Sequence, residues 1–308
     1  MRLSVVIPTV GRVADLTRVL EAIEEQAGGV PGGVEVVVVD DGSTDGTKGL
    51  LEERAARGAL VFASQDRRGP ASARNRGAGL ASGEILVFLG DDTVPEPGFL
   101  AAHDRAHREG DGGPLAVLGY TGWDEKRMSV TPFLVFLNEK GPQFGYGLIQ
   151  NADDVPYAFF YTSNVSLPKA VFASLGGFDE TFPGAAWEDV ELAYRGSKAT
   201  PALRLVYRPE ARTRHHHPTT LESFRRRQRA VGKAGVVLAR KHPELAEWVG
   251  ALAARRAPAR RPLASRLAGA AVALFDPLGI PLPERLYDTA IRWDYLAALR
   301  EALSPFTP

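Results

Sequence analysis

Short runs of apolar residues alternate with helix-like periodicity along the first 110 residues. The run Ile85–Leu89 contains five large apolar residues between two glycines, which predicts a strand buried on both faces. Similar runs predict strands over residues 3–7, where Pro8 ends the run, and over 34–39 and 59–63. Apolar residues every three or four positions and turn signals predict helices over 13–25, 47–57 and about 69–82. Strands that alternate with helices are typical of βαβ units, so we predict an α/β domain with a right-handed parallel sheet.

The second half of the chain is less regular. It predicts strands over 115–118 and 204–207 and helices from about Asp189, over 221–240, over 263–275 and over 283–303. We therefore predict an α/β domain at 1–240, divided into halves 1–110 and 111–240, and a helical C-terminal extension at 241–308. An arginine-rich linker, 255–262, lies within the extension. We expect its helices to pack on the domain, and the alternative is a peripheral membrane anchor.

Carboxylates follow two of the predicted strands. Asp40 and Asp41 follow the second strand, and Asp91 and Asp92 follow the fourth. The carboxyl edge of a parallel sheet is where this class of fold holds ligands, and adjacent acids favour a bound cation. Arg74 lies on the helix between the two pairs and suits a phosphate. The pattern favours a metal site that holds a phosphate, and the alternative is a solvated turn.

Composition narrows the possible chemistry. Basic and acidic residues balance at 37 each, so nothing in the net charge indicates nucleic acid as a partner. Cysteine is absent, which excludes disulfides and thiolate sites and leaves carboxylates and six histidines as metal ligands. The sequence contains neither G-x-G-x-x-G after the first strand nor a P-loop motif, which argues against dehydrogenases and P-loop enzymes. The first apolar run is too short for a signal peptide, so we expect a cytoplasmic protein, soluble or peripheral at the inner face of the membrane.

Four segments resemble, in order and spacing, the signatures of family 2 glycosyltransferases with the GT-A fold. They are VVIPT at 5–9, VVVDDGSTD at 37–45, ARNRG at 73–77 and FLGDDTVP at 88–95. The resemblance implies a Rossmann-like, mostly parallel central sheet flanked by helices. It also implies an inverting transferase that moves a sugar from a nucleotide-diphosphate donor, such as a UDP-sugar, to a hydroxyl of a glycan, a lipid-linked acceptor or a small molecule. A role in cell-envelope polysaccharide biosynthesis and dependence on Mn²⁺ or Mg²⁺ are implied too. The Q-x-x-R-W motif of processive synthases is missing, so we expect one sugar per encounter.

Matched position by position, the resemblance assigns roles to individual residues. Asp92 would bind the metal, with His215 and then His217 as the histidine that completes its shell. The nucleotide-sugar-binding positions would be Pro8, Thr9, Asp41, Arg74 and Asp91, with Thr9 and Asp41 on the nucleoside, Arg74 on the base or diphosphate and Asp91 on the ribose. Apart from the resemblance, the arginines of the predicted helix 221–240 form either a solvated basic face or, through Arg227 or Arg229, a contact with the diphosphate or an anionic lipid surface. The family often has an acid where this chain has Gly90, so a literal D-x-D triplet is absent and the division of roles between Asp91 and Asp92 stays open.

The segment WEDVELAYR at 187–195 matches the catalytic-base motif of the family. The resemblance places the catalytic base at Asp189, with Glu188 as second choice. Considered apart from the resemblance, both residues are ordinary acidic residues at the amino end of a helix. His215 and His217 share a face of an extended segment and His216 opposes them, although a bare histidine triplet is usually surface. An imidazole beside a carboxylate suits Mn²⁺ better than Ca²⁺.

Two questions stay open at this point. Aromatic residues are concentrated between 120 and 161, where they form either an acceptor cleft or a core or lid on the sheet: Trp123, Phe133, Phe136, Phe144, Tyr146, Tyr157, Phe159, Phe160 and Tyr161. The alternatives to a transferase are a non-catalytic nucleotide- or sugar-binding module and a sugar nucleotidylyltransferase. The latter usually has a glycine-rich basic loop after the first strand, and residues 8–12 are poor in glycine.

Overall fold

The computed structural model describes residues 1–110 and 112–303, so residue 111 and residues 304–308 of the predicted domains lie outside the described part. The described residues form two compact units. The first comprises 1–127, 149–180 and 188–217 and contains an eight-stranded sheet. Its strands are β1 (Leu3–Thr9), β2 (Val34–Asp40), β3 (Val61–Ser64), β4 (Ile85–Leu89), β5 (Thr93–Pro95), β6 (Leu115–Trp123), β7 (Asn164–Pro168) and β8 (Arg204–His215).

The strand order is β3-β2-β1-β4-β7-β6-β8-β5. The first four strands along this order pair in parallel, as their alternation with helices predicted. Beyond β4 the sheet is mixed: β7 runs antiparallel to β4 and β6, β8 is parallel to β6, and β5 is antiparallel to β8. The parallel prediction therefore holds for the part of the sheet built from the first 90 residues.

Six α-helices belong to the first unit: α1 (Val13–Ala27), α2 (Thr47–Ala56), α3 (Pro70–Leu80), α4 (Phe99–Arg108), α6 (Lys169–Ser174) and α7 (Glu188–Lys198). The buried stripe of α1 packs in one apolar cluster with residues of β1, β2 and β4. Gly77 lets α3 approach β1 closely, because a Cβ at this position would lie 2.5 Å from Val6 Cγ1. The helices thus cover β1, β2 and β4, whose residues are mostly buried.

Several strand predictions need correction. β1 continues through Pro8 to Thr9, although Pro8 was expected to end it. Pairing of β1 with β4 stops at Val6, so no hydrogen bond between these two strands requires the N–H that Pro8 lacks. Pairing of β1 with β2 continues to Thr9. β5 and β7 were not predicted at all, and β6 and β8 extend well beyond the predicted 115–118 and 204–207.

The second unit comprises 128–148, 181–187 and the chain from residue 218 onward. Its described α-helices are α5 (Pro132–Glu139), α8 (Leu221–Lys241), α9 (Ala251–Arg256), α10 (Leu263–Phe275) and α11 (Glu284–Leu303). α8 and α10 pack against α11. Buried Asp294 of α11 binds Arg225 of α8 at 2.8 Å and Arg261 at 2.6 Å. Because α8 packs on α11, the compact units do not follow the predicted boundary at residue 240.

Phe133 of α5 lies in the core of the second unit, with ring centroids 5.9 Å from those of Phe224 and Tyr287. None of the helices in the described part of the chain is long and apolar enough to cross a membrane.

Candidate active site

The turn between β4 and β5 presents the two adjacent acids Asp91 and Asp92. A Cβ at Gly90 would lie 2.4 Å from Thr93 Oγ1 and 3.1 Å from Asp92 Oδ1. The turn is therefore too tight for a larger residue unless Thr93 moves. The absence of an acid at position 90, which the sequence left unexplained, has a steric cause in this chain.

Asp92, His215 and His217 come together although 123 or more positions separate Asp92 from the histidines. Antiparallel pairing of β5 with β8 aligns Thr93 with His215, which brings the histidines to the β4–β5 turn. Asp92 Oδ2 lies 3.3 Å from His215 Nε2 and 3.4 Å from His217 Nδ1. His216 points the other way, with Nδ1 3.0 Å from Asp15 Oδ1, as the strand alternation predicted.

The three side chains fit a divalent metal ion. One ligand atom from each lies within 4.8 Å of the others, and this is one such cluster among the described residues. The set of one carboxylate oxygen and two imidazole nitrogens suits Mn²⁺. His215 is stacked between Trp123, at 5.4 Å, and His217, at 5.3 Å, which fixes the planes of both imidazoles. Metal binding by these residues remains a prediction that the geometry favours.

Arg12, at the start of α1, neutralises part of the acidic turn. Its guanidinium contacts Asp92 Oδ2 and lies 3.7 Å from Asp91 Oδ1. Burial raises the pKa of Asp92, but His215, His217 and Arg12 outweigh burial and hold that pKa well below its usual range. Sequence reasoning missed Arg12, and the only signal was a cation in the loop that follows β1.

Asp91 has a different environment from its neighbour. Burial and the charge of Asp92 raise the pKa of Asp91 to about 6, while Arg12 opposes the rise. Thr9 Oγ1 donates a hydrogen bond of 2.8 Å to Asp91 Oδ2. Two positions predicted to bind the donor, Thr9 and Asp91, thus contact each other at the carboxyl edge of β1 and β4. Pro8 precedes Thr9 on β1 and is partly buried.

Asp41 organises the loop that leads into α3. Its carboxylate accepts hydrogen bonds from the Gln65 side chain at 2.8 Å and from the backbone N–H groups of Arg68, at 2.8 Å, and Gly69, at 2.9 Å. The contact of Asp41 with a nucleoside remains a prediction, and its visible role is to fix this loop beside the end of β2.

Arg74 contacts a predicted catalytic residue. Its Nη1 donates to Glu188 Oε1 at 2.9 Å, and the two side chains are 9% and 2% exposed. Its guanidinium also lies over the Phe178 ring at 5.8 Å. No pattern in the sequence indicates this pairing across 114 positions. Contact of Arg74 with the donor base or diphosphate remains a prediction.

Asn75 joins the same motif to the segment before α7. Its side chain exchanges two hydrogen bonds of 2.8 Å with the backbone of Phe178, and a Cβ at Gly177 would meet Asn75 Oδ1 at 2.7 Å. Gly177 also has a positive φ of 73°. Consecutive residues of the ARNRG segment therefore connect α3 to Phe178 and to Glu188 at the start of α7.

Asp189 and Glu188 differ in exposure at the amino end of α7. Glu188 is buried against Arg74, whereas Asp189 is half-buried and its Oδ1 accepts from the Val190 N–H at 2.8 Å. Burial and the charge of Asp189 raise the pKa of Glu188 to about 7, opposed by Arg74. Burial likewise raises the pKa of Asp189, which Arg74 and the backbone N–H of Thr162 oppose. Of the two residues, Asp189 is the more exposed.

Most of the aromatic residues belong to the packed interior. The buried ones are Trp123, Phe133, Phe136, Phe144, Tyr146 and Phe160, whereas Tyr157, Phe159 and Tyr161 are half-exposed. Arg227 lies on α8 in the second unit and is exposed. Its neighbour Arg229 pairs with Glu301 at 2.9 Å. The role of Arg227 in donor binding remains a prediction.

Comparison with known proteins places this geometry in a family. The model of glycosyl transferase family 2 matches residues 4–173. Validoxylamine A glucosyltransferase of Streptomyces hygroscopicus subsp. limoneus is 36% identical over 217 residues, which cover 63% of this chain and 47% of that enzyme. Pre-mycofactocin glycosyltransferase of Mycobacterium tuberculosis is 27% identical over 253 residues, which cover 78% of this chain and 48% of that enzyme. The chain thus spans about half the length of these curated relatives.

A mannosyltransferase of Pyrobaculum calidifontis, solved with GDP-Man and Mn²⁺, has a similar structure. It aligns with a TM-score of 0.64 at 24% identity, covering 99% of this chain and 88% of that one. The likeness confirms the predicted GT-A fold with its helical C-terminal extension. The family model covers more than half of the chain, including the segments that carry Thr9, Asp41, Arg74 and Asp92. The chain belongs to glycosyl transferase family 2.

Proposed function

We propose that the protein is a metal-dependent, inverting glycosyltransferase that moves one sugar from a nucleotide-diphosphate donor to an acceptor hydroxyl. The observation that carries the proposal is the cluster of Asp92, His215 and His217 at the carboxyl edge of the sheet. Ligands bind at this edge in open α/β sheets. When bound there, Mn²⁺ or Mg²⁺ would offset the charge that develops on the leaving diphosphate.

The donor site uses residues around the β4–β5 turn. Thr9, Asp91 and Arg12 form a connected polar group beside the metal ligands. Asp41 fixes the neighbouring loop through its three hydrogen bonds. We propose that nucleoside and ribose bind along this edge. The relatives include a glucosyltransferase, and the similar structure contains GDP-Man, so UDP-glucose and GDP-mannose are the first donors to test.

Asp189 acts as the base on the acceptor. It removes the proton of the attacking hydroxyl, the acceptor oxygen bonds to the anomeric carbon, and the bond from that carbon to the diphosphate oxygen breaks with its electrons. A raised pKa suits a base that works near neutral pH, and half-exposure lets an acceptor reach it. Glu188 is buried and paired with Arg74, which makes it a poorer candidate.

We propose that the acceptor binds beside this base. The Thr162 N–H bonds to Asp189, and the half-exposed Tyr161 is the residue next to Thr162. The ring of Tyr157 also packs on Tyr194 of α7, at 5.3 Å. We propose that these aromatic faces bind the acceptor. The named acceptors of the relatives differ, and an acceptor hydroxyl on a small molecule, glycan or lipid-linked sugar fits the proposal equally.

The test is release of nucleoside diphosphate from each donor with Mn²⁺, using water and candidate hydroxyl compounds as acceptors. Asp189→Asn is expected to lower turnover at least a hundredfold while nucleotide affinity stays within about threefold. The matched control is Asp153→Asn, because Asp153 is 76% exposed on its side chain in the same unit. An α-linked donor that gives a β-linked product in NMR supports inversion.

Two results would count against the proposal. Retained configuration in the product refutes the inverting mechanism. If the wild-type protein binds a nucleotide tightly but turns over none of the donors, the result favours a non-catalytic binding module instead.

A further inference from the structure

Helix α10 carries its large apolar side chains on its outer face. Leu263, Leu267 and Leu274 are 66%, 61% and 63% exposed. At 3.6 residues per turn these three positions lie within about 40° of one another around the helix axis. Leu278, in the short turn that follows α10, is 66% exposed. The leucines form a continuous apolar stripe, which we call the leucine stripe.

The inner face of α10 carries small residues and one valine: Ser265, Ala268, Gly269 and Val272. This face packs against α11. A helix of a water-soluble domain normally buries its large apolar residues and exposes polar ones. α10 does the reverse, and contiguous exposed apolar surface of this kind marks an interaction site.

Arginines outnumber acids in the segment that contains α10. Residues 251–280 contain five arginines and a single acid, Asp276. Asp276 Oδ1 already accepts a hydrogen bond of 2.6 Å from the Phe133 N–H. Of the arginines, Arg261 pairs with Asp294, and the other four are exposed in the segment leading into α10 and on its second turn: Arg255, Arg256, Arg260 and Arg266.

We propose that the leucine stripe and these exposed arginines bind the surface of an anionic lipid bilayer. Leucines of an interfacial helix enter the boundary of the acyl chains while arginines contact the headgroup phosphates. A second copy of the chain fits less well. In a two-fold contact the same patch meets itself, so the exposed arginines of this segment would face one another, and the single acid of residues 251–280, Asp276, already accepts a hydrogen bond. The charge pattern therefore selects a negatively charged surface as the partner.

The test is flotation of the full chain with vesicles of phosphatidylcholine alone or mixed with phosphatidylglycerol. Wild type is expected to bind the anionic vesicles, and less at high salt. The double substitution Leu267→Gln with Leu274→Gln is expected to weaken binding at least tenfold. The double substitution Arg260→Gln with Arg266→Gln is expected to weaken binding to anionic vesicles by about fivefold for each arginine removed. Binding to neutral vesicles is expected to stay unchanged.

A matched control replaces two exposed leucines elsewhere, Leu80→Gln with Leu148→Gln, which are 44% and 50% exposed. This control is expected to bind vesicles as wild type does. The proposal is overturned if wild type does not bind anionic vesicles, or if the stripe variant binds them as tightly as the control. A wild-type dimer in sedimentation that the stripe variant dissociates, without vesicle binding, would identify the stripe as a contact between copies instead.

Discussion

Replacing Arg74 with methionine tests the buried ion pair at the centre of the first unit. Methionine keeps much of the side-chain length and removes the cation that lies 2.9 Å from Glu188. The pKa of Glu188 in the folded protein is raised to about 7 from 4.5. A carboxyl whose pKa rises on folding stabilises the protein fully below its unfolded pKa, and this contribution is lost as pH rises through about 7.

The size of the effect follows from the same linkage. Arg74 lowers the pKa of Glu188, so its removal raises that pKa further. Each pKa unit is about 1.4 kcal/mol, so over the interval from pH 7 to pH 8.5 the variant loses up to about 2 kcal/mol more than wild type. Below pH 7 this extra loss vanishes, and only the lost hydrogen bond and packing remain, on the order of 1–2 kcal/mol.

Urea unfolding of wild type and Arg74→Met at pH 6 and pH 8.5 measures the difference. The free energy of unfolding lost by the variant is expected to be larger at pH 8.5. In the Glu188→Gln background this titrating group is absent, so the loss caused by Arg74→Met, measured against Glu188→Gln alone, should change much less between pH 6 and pH 8.5. An Arg74→Met loss that is the same at pH 6 and pH 8.5 refutes the conclusion that Arg74 holds the charge of Glu188.

Three further predictions concern the acidic turn and its histidines. Arg12→Met is expected to tighten binding of Mn²⁺ alone, measured by calorimetry, because the guanidinium contacts the Asp92 oxygen that the metal needs; unchanged or weaker binding contradicts this competition. His217→Ala should weaken Mn²⁺ binding about tenfold or more. His216→Ala should change Mn²⁺ binding less than threefold, because the His216 ring faces Asp15, and equal effects of the two substitutions would refute the ligand assignment. Gly90→Ala is expected to lower the free energy of unfolding by about 1–3 kcal/mol through the 2.4 Å contact with Thr93, and a wild-type melting temperature would show that the turn relaxes freely.

The sequence predicted elements whose signal is local. Ile85–Leu89 is a strand at the predicted residues, because five apolar residues between glycines fit a strand covered on both faces. The helix over Leu263–Phe275 was also predicted at its observed bounds. β7 was missed because Asn164–Pro168 mixes polar and apolar residues, and its buried Asn164 and Ser166 are accommodated by hydrogen bonds to His103. That network depends on residues about 60 positions away, which no local pattern reveals.

The sequence predicted which residues belong to the candidate site, but it did not predict which of them contact one another. The resemblance named Asp92, His215 and His217, and the structure brings them together. It named Arg74 and Glu188 for separate tasks, and the structure pairs them. The outward orientation of the α10 leucines was not predicted either, because alanine occurs on all sides of this helix and packing on α11 decides which face turns outward.

Calorimetric titration of nucleoside diphosphates, with and without Mn²⁺, tests most directly the claim that Asp92 holds a metal for a nucleotide-sugar donor. Wild type and the Asp153→Asn control are expected to bind one nucleotide tightly only when Mn²⁺ is present. Asp92→Asn should lose this metal-dependent binding while its unfolding stays cooperative. Nucleotide binding that is equally tight without metal, or unchanged in Asp92→Asn, would contradict the claim.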